Sequence, residues 1–285
     1  MEQFISLIAK ALNLREKQVA NTIKLLTEGA TIPFISRYRK EMTDNLDEIQ
    51  VGAIKEQYDK LCELDKRKQS ILKSIEEQEK LTPELRSRIE QCWNMTELED
   101  IYLPYKPKRR TRAEIAREKG LEPLAKILMK QTENNVNGIA ATFVKGDVKN
   151  IEEALAGARD IMAEWINESE AARNSVRNIF SRDAVISSRV VKGKEEDGQK
   201  YKDYFEMDEL LRKCSSHRLL AMRRGETEGF LRVSISPKDS DCIERLEKIF
   251  IKGVSLSSIQ VNESITDAYK RLLKPSIETE FANIS

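Results

Sequence analysis

The sequence has one histidine, His217, and four widely spaced cysteines, Cys62, Cys92, Cys214 and Cys242, with no CxxC pair. Structural zinc sites draw on clustered thiolates and imidazoles, so none is expected, and the cysteines are expected to be free thiols in a reducing compartment. Net charge is nearly absent too: 49 Lys and Arg against 48 Asp and Glu leave +1. Overall charge therefore gives no attraction to nucleic acid or membrane, and any electrostatic function must be local. No apolar run approaches the ~18–20 residues a membrane span needs, and the first residues lack the pattern of a secretory signal. A cytoplasmic, soluble protein is expected. Only 11 glycines, 7 prolines and 6% aromatics, beside abundant Glu, Lys, Leu and Ile, argue against an all-β fold and for a mostly α one.

Periodicity and punctuation divide the chain. Phe4, Ile5, Ile8 and Leu12 share a helical face, and Asn13 with Glu16 reads as a capping-box start for a second helix carrying Val19, Ile23 and Leu26. Gly29 stops that helix, and Thr31 with Pro33 opens a short third one, so residues 1–46 read as a helix-turn-helix-like element. From Asp47 to about Lys80 a stripe of Ile54, Tyr58, Leu61, Leu64, Ile71, Leu72 and Ile75 predicts one long amphipathic helix interrupted at Lys68. Thr82 and Pro83 start its antiparallel partner, with Leu85, Ile89, Trp93 and Leu98 as core, which makes 47–103 a long helical hairpin.

Pro104 and Pro107 break the pattern before a helical region over 104–182 that begins with a basic stretch. Thr111 and Glu114 form a capping-box start, and Gly120 fits a left-handed stop. Asn150 opens a helix with Ile151, Leu155, Ala158, Ile161, Met162 and Trp165 on its buried side. Residues 183–260 read as a small α+β segment, in which 184–193 and 229–236 pair as a two-stranded antiparallel ribbon with helices near 203–214 and 216–226 between them. A last helix over 261–285 carries Ile265, Ala268, Leu272 and Leu273, continues weakly past Pro275 and is expected to lead towards a core that the chain does not include.

Few constellations invite chemistry. Gly193–Lys200, GKEEDGQK, lacks the Lys-Ser/Thr that must follow the second glycine of a phosphate loop, and its three acids would repel phosphate. Those acids also make a poor magnesium site, because adjacent side chains rarely converge on one ion. His217 has no evident nucleophile or orienting acid, and a helix-start residue bonded locally is the simpler reading. No enzyme, cofactor or metal is expected.

The basic stretch is more informative. From Pro104 to Gly120 seven cations (Lys106, Lys108, Arg109, Arg110, Arg112, Arg117, Lys119) face two acids (Glu114, Glu118), a local net of +5. Arg109, Arg110 and Arg112 sit around a predicted helix N-terminus, where each cation costs up to ~1 kcal/mol and an anion would be welcomed. Either a nucleic-acid phosphate meets them, or they pair internally with Glu76, Glu77 and Glu79 or with a further domain. Arg37, Arg39 and Lys40 form a second group, behind Ile32, Phe34 and Ile35. Those apolar residues are expected to lock a short helix against the bundle while the cations emerge into solvent.

TIPFISRYRKEMTDNLDE, LEDIYLPYKPKRRTRAEIAREKGLEPLA, GARDIMAEWI, VVKGKEEDGQKYKDYF and SSHRLLAMRRGETEGFL together resemble, over nearly the whole chain, the N-terminal part of the bacterial Tex family of transcription accessory proteins. The resemblance implies a longer protein, similar to the core of a eukaryotic elongation factor and histone chaperone, with an RNase H-like domain, helix-hairpin-helix elements and a C-terminal OB-type RNA-binding barrel beyond this chain. It implies that residues 30–48 are the helix-turn-helix-like lead-in to the hairpin, scaffold first and nucleic-acid contact second. The expected function is a non-enzymatic helical scaffold that binds RNA or DNA phosphates without sequence specificity through Lys106, Lys108, Arg109, Arg110 and Arg112, with Arg37, Arg39 and Lys40 secondary. The rival is a protein-interaction module docking on transcription machinery or on its own C-terminal domains, with no nucleic-acid contact of its own; on either reading a monomer is expected.

Overall fold

The computed structural model describes residues 1–284 and is mostly helical. Its packing divides into two compact units, Met1–Lys106 and Pro107–Ser285.

In the first unit, α1 (Glu2–Leu12), α2 (Glu16–Thr27), α3 (Ile32–Tyr38) and α4 (Lys40–Thr43) pack around the start of α5 (Glu48–Glu77). Ile8, Val19, Ile23, Ile35, Leu46, Val51 and Ile54 form their shared core. Asn13 does not start α2. It takes a left-handed conformation, φ 53°, and closes α1, while Arg15 occupies the cap position of α2. Asparagine tolerates that conformation, because its short polar side chain bonds locally. Gly29 is the left-handed stop of α2, and the Thr31 hydroxyl accepts the Phe34 N–H at the head of α3.

Helix α5 runs through Lys68 without a break. The lysine is buried, and its ammonium donates to the Glu90 carbonyl at 2.8 Å and lies 3.4 Å from the centre of the Trp93 ring. A carbonyl and an aromatic face thus replace part of its hydration, and burial still pushes its pKa down. The return limb is two helices, α6 (Pro83–Gln91) and α7 (Met95–Tyr102), because Asn94 caps a fresh start with its side chain on the Glu97 N–H. Leu64, Ile71, Ile75, Ile89, Leu98 and Ile101 fill the space between the limbs. At the open end Ser74 bonds the Tyr102 hydroxyl and Gln78 donates to the Tyr105 carbonyl, fixing where the chain leaves the hairpin.

The second unit is built on α11 (Ile151–Glu168). Against it pack α8 (Arg112–Glu118), α9 (Glu122–Met129), α10 (Val136–Ala141) and α15 (Leu256–Asp267). Thr111 and Asn150 cap α8 and α11 through their side chains, and Gly120, at φ +77°, ends α8. Helix α12 (Glu170–Asp183) leads into a three-stranded antiparallel sheet, with β1 (Val185–Val190) between β2 (Glu206–Leu210) and β3 (Leu231–Ser236).

The β1–β3 pairing matches the expected ribbon, with Ser188 opposite Val233. The helix expected over 203–214 is instead a 3₁₀ turn, strand β2 and a second 3₁₀ turn. Glu, Met and Leu favour helix intrinsically, but the second edge of β1 offers Glu206–Leu210 a full ladder, and tertiary pairing overrides propensity. Helices α13 (Ser216–Thr227) and α14 (Asp239–Phe250) follow.

The final helical stretch starts earlier than periodicity suggests, with Ser255 capping α15. It then widens into a π segment, Ala268–Leu273, before α16 (Lys274–Ile284). In that segment the Lys274 N–H reaches five residues back to the Tyr269 carbonyl. Pro275, which lacks an N–H and would crowd the preceding turn of a regular helix, is accommodated by this wider winding. Among the described residues no helix is long and apolar enough to cross a membrane.

Candidate nucleic-acid interface

The basic stretch separates into held and free cations. Pro107 and the cap at Thr111 fix the path into α8, so Lys108 and Arg117 reach the same face of α11. That face carries Asp160, Glu164 and Glu168 at four-residue spacing, one above the other. Arg117 donates to Glu164 at 2.8 Å, Lys108 lies 3.2 Å from Glu164 and pairs with Glu168, and the Thr111 hydroxyl donates to Glu164 at 3.4 Å.

Burial by itself would raise the Glu164 carboxyl. The hydrogen bond from Arg117 and the charge of Lys108 outweigh it and hold the group below the usual range. Burial dominates at Glu168, despite its bond from Lys108, and at Asp160, despite the charges of Arg271, Arg112 and Arg159, so both are raised.

The remaining cations face water. Lys106, Arg109, Arg110 and Arg112 are exposed. Arg110 makes a surface pair with Glu118 at 2.8 Å, and a pair this open contributes little. Among the described residues Lys106, Arg109 and Arg112 have no ion-pair partner. The acids that engage the stretch are Glu114, Glu118, Glu122, Glu164 and Glu168. Glu76 pairs with Arg86 instead, and Glu77 with Lys73.

The second group stands on different chemistry. Helix α3 buries Ile35 and Ser36 with Ile32 partly covered, which leaves Phe34, Arg37 and Tyr38 on the opposite side. Phe34 therefore does not lock the helix: it is 40% exposed, and Tyr38 is 64% exposed. The two rings lie 5.6 Å apart at 43°, and the Arg39 guanidinium sits 5.1 Å from the centre of the Phe34 ring while donating to the Tyr38 carbonyl. Arg37 and Lys40 are exposed and, among the described residues, unpaired. The sequence does carry a signal for this arrangement, since Phe34 and Tyr38 fall at i and i+4 away from the Ile32–Ile35 face.

A model of the Tex-like protein N-terminal domain matches residues 2–76, and one of the Tex central region matches residues 131–279. The chain belongs to the Tex family. It is similar to the transcriptional accessory protein Tex of Neisseria gonorrhoeae, 43% identical over 82% of this chain and 31% of that one, and to protein YhgF of Escherichia coli K12, 42% identical over 95% of this chain and 35% of that one. It is also similar to the S1 RNA-binding domain-containing protein 1 of Pongo abelii, at 29% identity over 97% of this chain and 29% of that one. The chain spans about a third of the length of the curated relatives it matches.

Within this Tex-family frame, Arg37, Arg39 and Lys40 lie inside the matched N-terminal region, and the stretch 104–112 lies between the two matched regions. The other sites weighed from sequence are surface features. Glu195, Glu196 and Asp197 line an exposed turn. His217 is exposed in the first turn of α13, with its ring 3.4 Å from the Ser215 hydroxyl. Among the described residues no three His, Cys, Asp or Glu side chains group as metal ligands would.

Proposed function

We propose that this chain is a non-catalytic helical scaffold of a Tex-family transcription accessory protein that holds nucleic acid by its phosphate backbone, without reading sequence. Lys106, Arg109, Arg110 and Arg112 carry the contact, Arg37 and Lys40 form a secondary one beside Arg39, which stays on the Phe34 ring, and Lys108 stays bound to the acids of α11. The observation that supports this is the exposure of cations beside the α8 N-terminus, where among the described residues Arg109 and Arg112 have no ion-pair partner. Guanidinium forks in that position suit phosphate oxygens, and the names of the relatives, transcriptional accessory protein and S1 RNA-binding domain-containing protein, agree with such a ligand.

Binding of the chain to labelled single-stranded RNA and to duplex DNA across a salt series tests the proposal. Each phosphate contact on a single strand should add about −0.7 to the slope of log K against log salt, and Arg109→Glu with Arg110→Glu should flatten that slope. Salt-independent binding, or none by the folded chain, would refute it.

A second reading, docking of a protein partner, draws on one feature of the second unit. Val254 and Ile259 are exposed along a cleft of about 490 Å³ between Ile251 and Thr266. On that reading the double charge reversal leaves nucleic-acid affinity unchanged.

A further inference from the structure

We propose that Phe34 and Tyr38 form a stacking platform for an unpaired nucleobase, with Arg37 and Lys40 meeting the flanking phosphates. The inference rests on the nucleic-acid reading above and adds the form of the ligand: a single strand with at least one base turned out of its stack.

Three observations converge on α3. First, two aromatic rings face water on a helix whose other face is buried through Ile35 and Ser36, so their exposure follows from the orientation of the helix and not from loose packing. Rings in water gain by covering their faces, and a nucleobase is a flat π-system of matching size. Second, Arg39 is committed to the Phe34 ring and the Tyr38 carbonyl, a cation–π and hydrogen-bond arrangement that braces the platform. Third, Arg37 and Lys40 are exposed on the same short stretch and, among the described residues, have no ion-pair partner, which supplies positive charge where the sugar–phosphate on either side of a stacked base would run. The sole acid on α4 is Glu41, exposed and, among the described residues, also without an ion-pair partner, so the local balance stays positive.

A duplex does not fit this surface as well, because its base faces are covered by neighbouring pairs and only its phosphates are available. An apolar peptide is poorly matched by two free cations. The chemistry favours a ligand that is aromatic and anionic in alternation.

The test uses the full chain with ring-labelled phenylalanine and tyrosine. It is titrated with a short single-stranded oligouridylate, an abasic sugar–phosphate oligomer of the same length, and a matching duplex. Stacking should shift the Phe34 and Tyr38 ring resonances with the oligouridylate alone. Tyr38→Ala should weaken oligouridylate binding about five- to tenfold, at the low end of base–aromatic stacking, leave the abasic oligomer unaffected, and be rescued by Tyr38→Trp. Ring resonances that stay put while Arg109 and Arg110 still bind the oligouridylate would overturn the platform and leave the proposed function standing. Equal losses on base-bearing and abasic strands would also overturn it, as would absence of binding to every probe, which would take the proposed function with it.

Discussion

The two basic stretches, 37–40 and 106–112, look alike as sequence and differ as chemistry. In the first, Arg39 spends its charge on an aromatic face while Arg37 and Lys40 remain open. In the second, Lys108 and Arg117 are absorbed by carboxylates on α11, and their neighbours Arg109 and Arg112 are left in solvent. A cation's availability is thus set by what its helix faces and not by the density of Lys and Arg along the chain. Lys108 and Arg109, adjacent in sequence, fall on opposite sides of that divide.

The strongest way to break the contrast is Glu164→Ala. It would remove the carboxylate that Lys108 and Arg117 share, leaving Lys108 to Glu168 and Arg117 to Glu114 and Glu122, and should cost about 2 kcal/mol in urea denaturation, less than the ~3–5 kcal/mol of a fully enclosed pair because both cations keep other partners and access to water. The same variant should bind single-stranded RNA more tightly, since it removes one negative charge from beside the basic stretch.

Separating the neighbours is the next test. Lys108→Ala should lower stability by ~1 kcal/mol and leave RNA affinity nearly unchanged, whereas Arg109→Ala should weaken binding several-fold at low salt with no change in the denaturation midpoint. Matching effects from the two would erase the distinction.

The smallest effect concerns the other acid. Glu164 has a lowered folded pKa, so its contribution to stability is present above its ordinary value of 4.5 and is lost as pH falls through the folded value. Glu168 is raised, so its contribution is present below 4.5 and is lost as pH rises through its folded value. Glu168→Gln should therefore change stability at neutral pH by less than ~1 kcal/mol and make the stability gain from pH 4 to pH 7 larger than in the parent chain. A large loss at pH 7 would show that the Lys108–Glu168 pair outweighs the burial of the carboxyl.

Local signals account for what the sequence disclosed. Thr31, Thr82, Thr111 and Asn150 cap the helices that follow them, and Gly29 and Gly120 end theirs, because each of these interactions closes within a few residues. The apolar stripe of α5 was legible for the same reason. What escaped depends on distant partners. Lys68 looked like a break in the helix because the Glu90 carbonyl and Trp93 ring that shelter it lie on the return limb. β2 looked helical because its strand character comes from β1. The basic stretch was visible in full, yet its division into held and free cations depends on Glu164, a residue 56 positions beyond Lys108 and 47 beyond Arg117. Asn13 and Phe34 were local misreadings: one belonged to the end of a helix and not to its start, and the other to the outward face of α3.

The π segment before Pro275 makes chain length itself a determinant of the fold. One residue more or fewer between Ala268 and Leu273 would rotate everything downstream by about 100° about the helix axis. Glu280, which accepts hydrogen bonds from Arg173 at 2.8 Å and Arg177 at 2.7 Å, would swing away from α12, and the buried Ile277 would turn out of its core. The buried Ala268, Tyr269 and Leu273 already limit what can be substituted here, and an insertion or deletion has almost no acceptable place, so spacing is as strict a message as spelling.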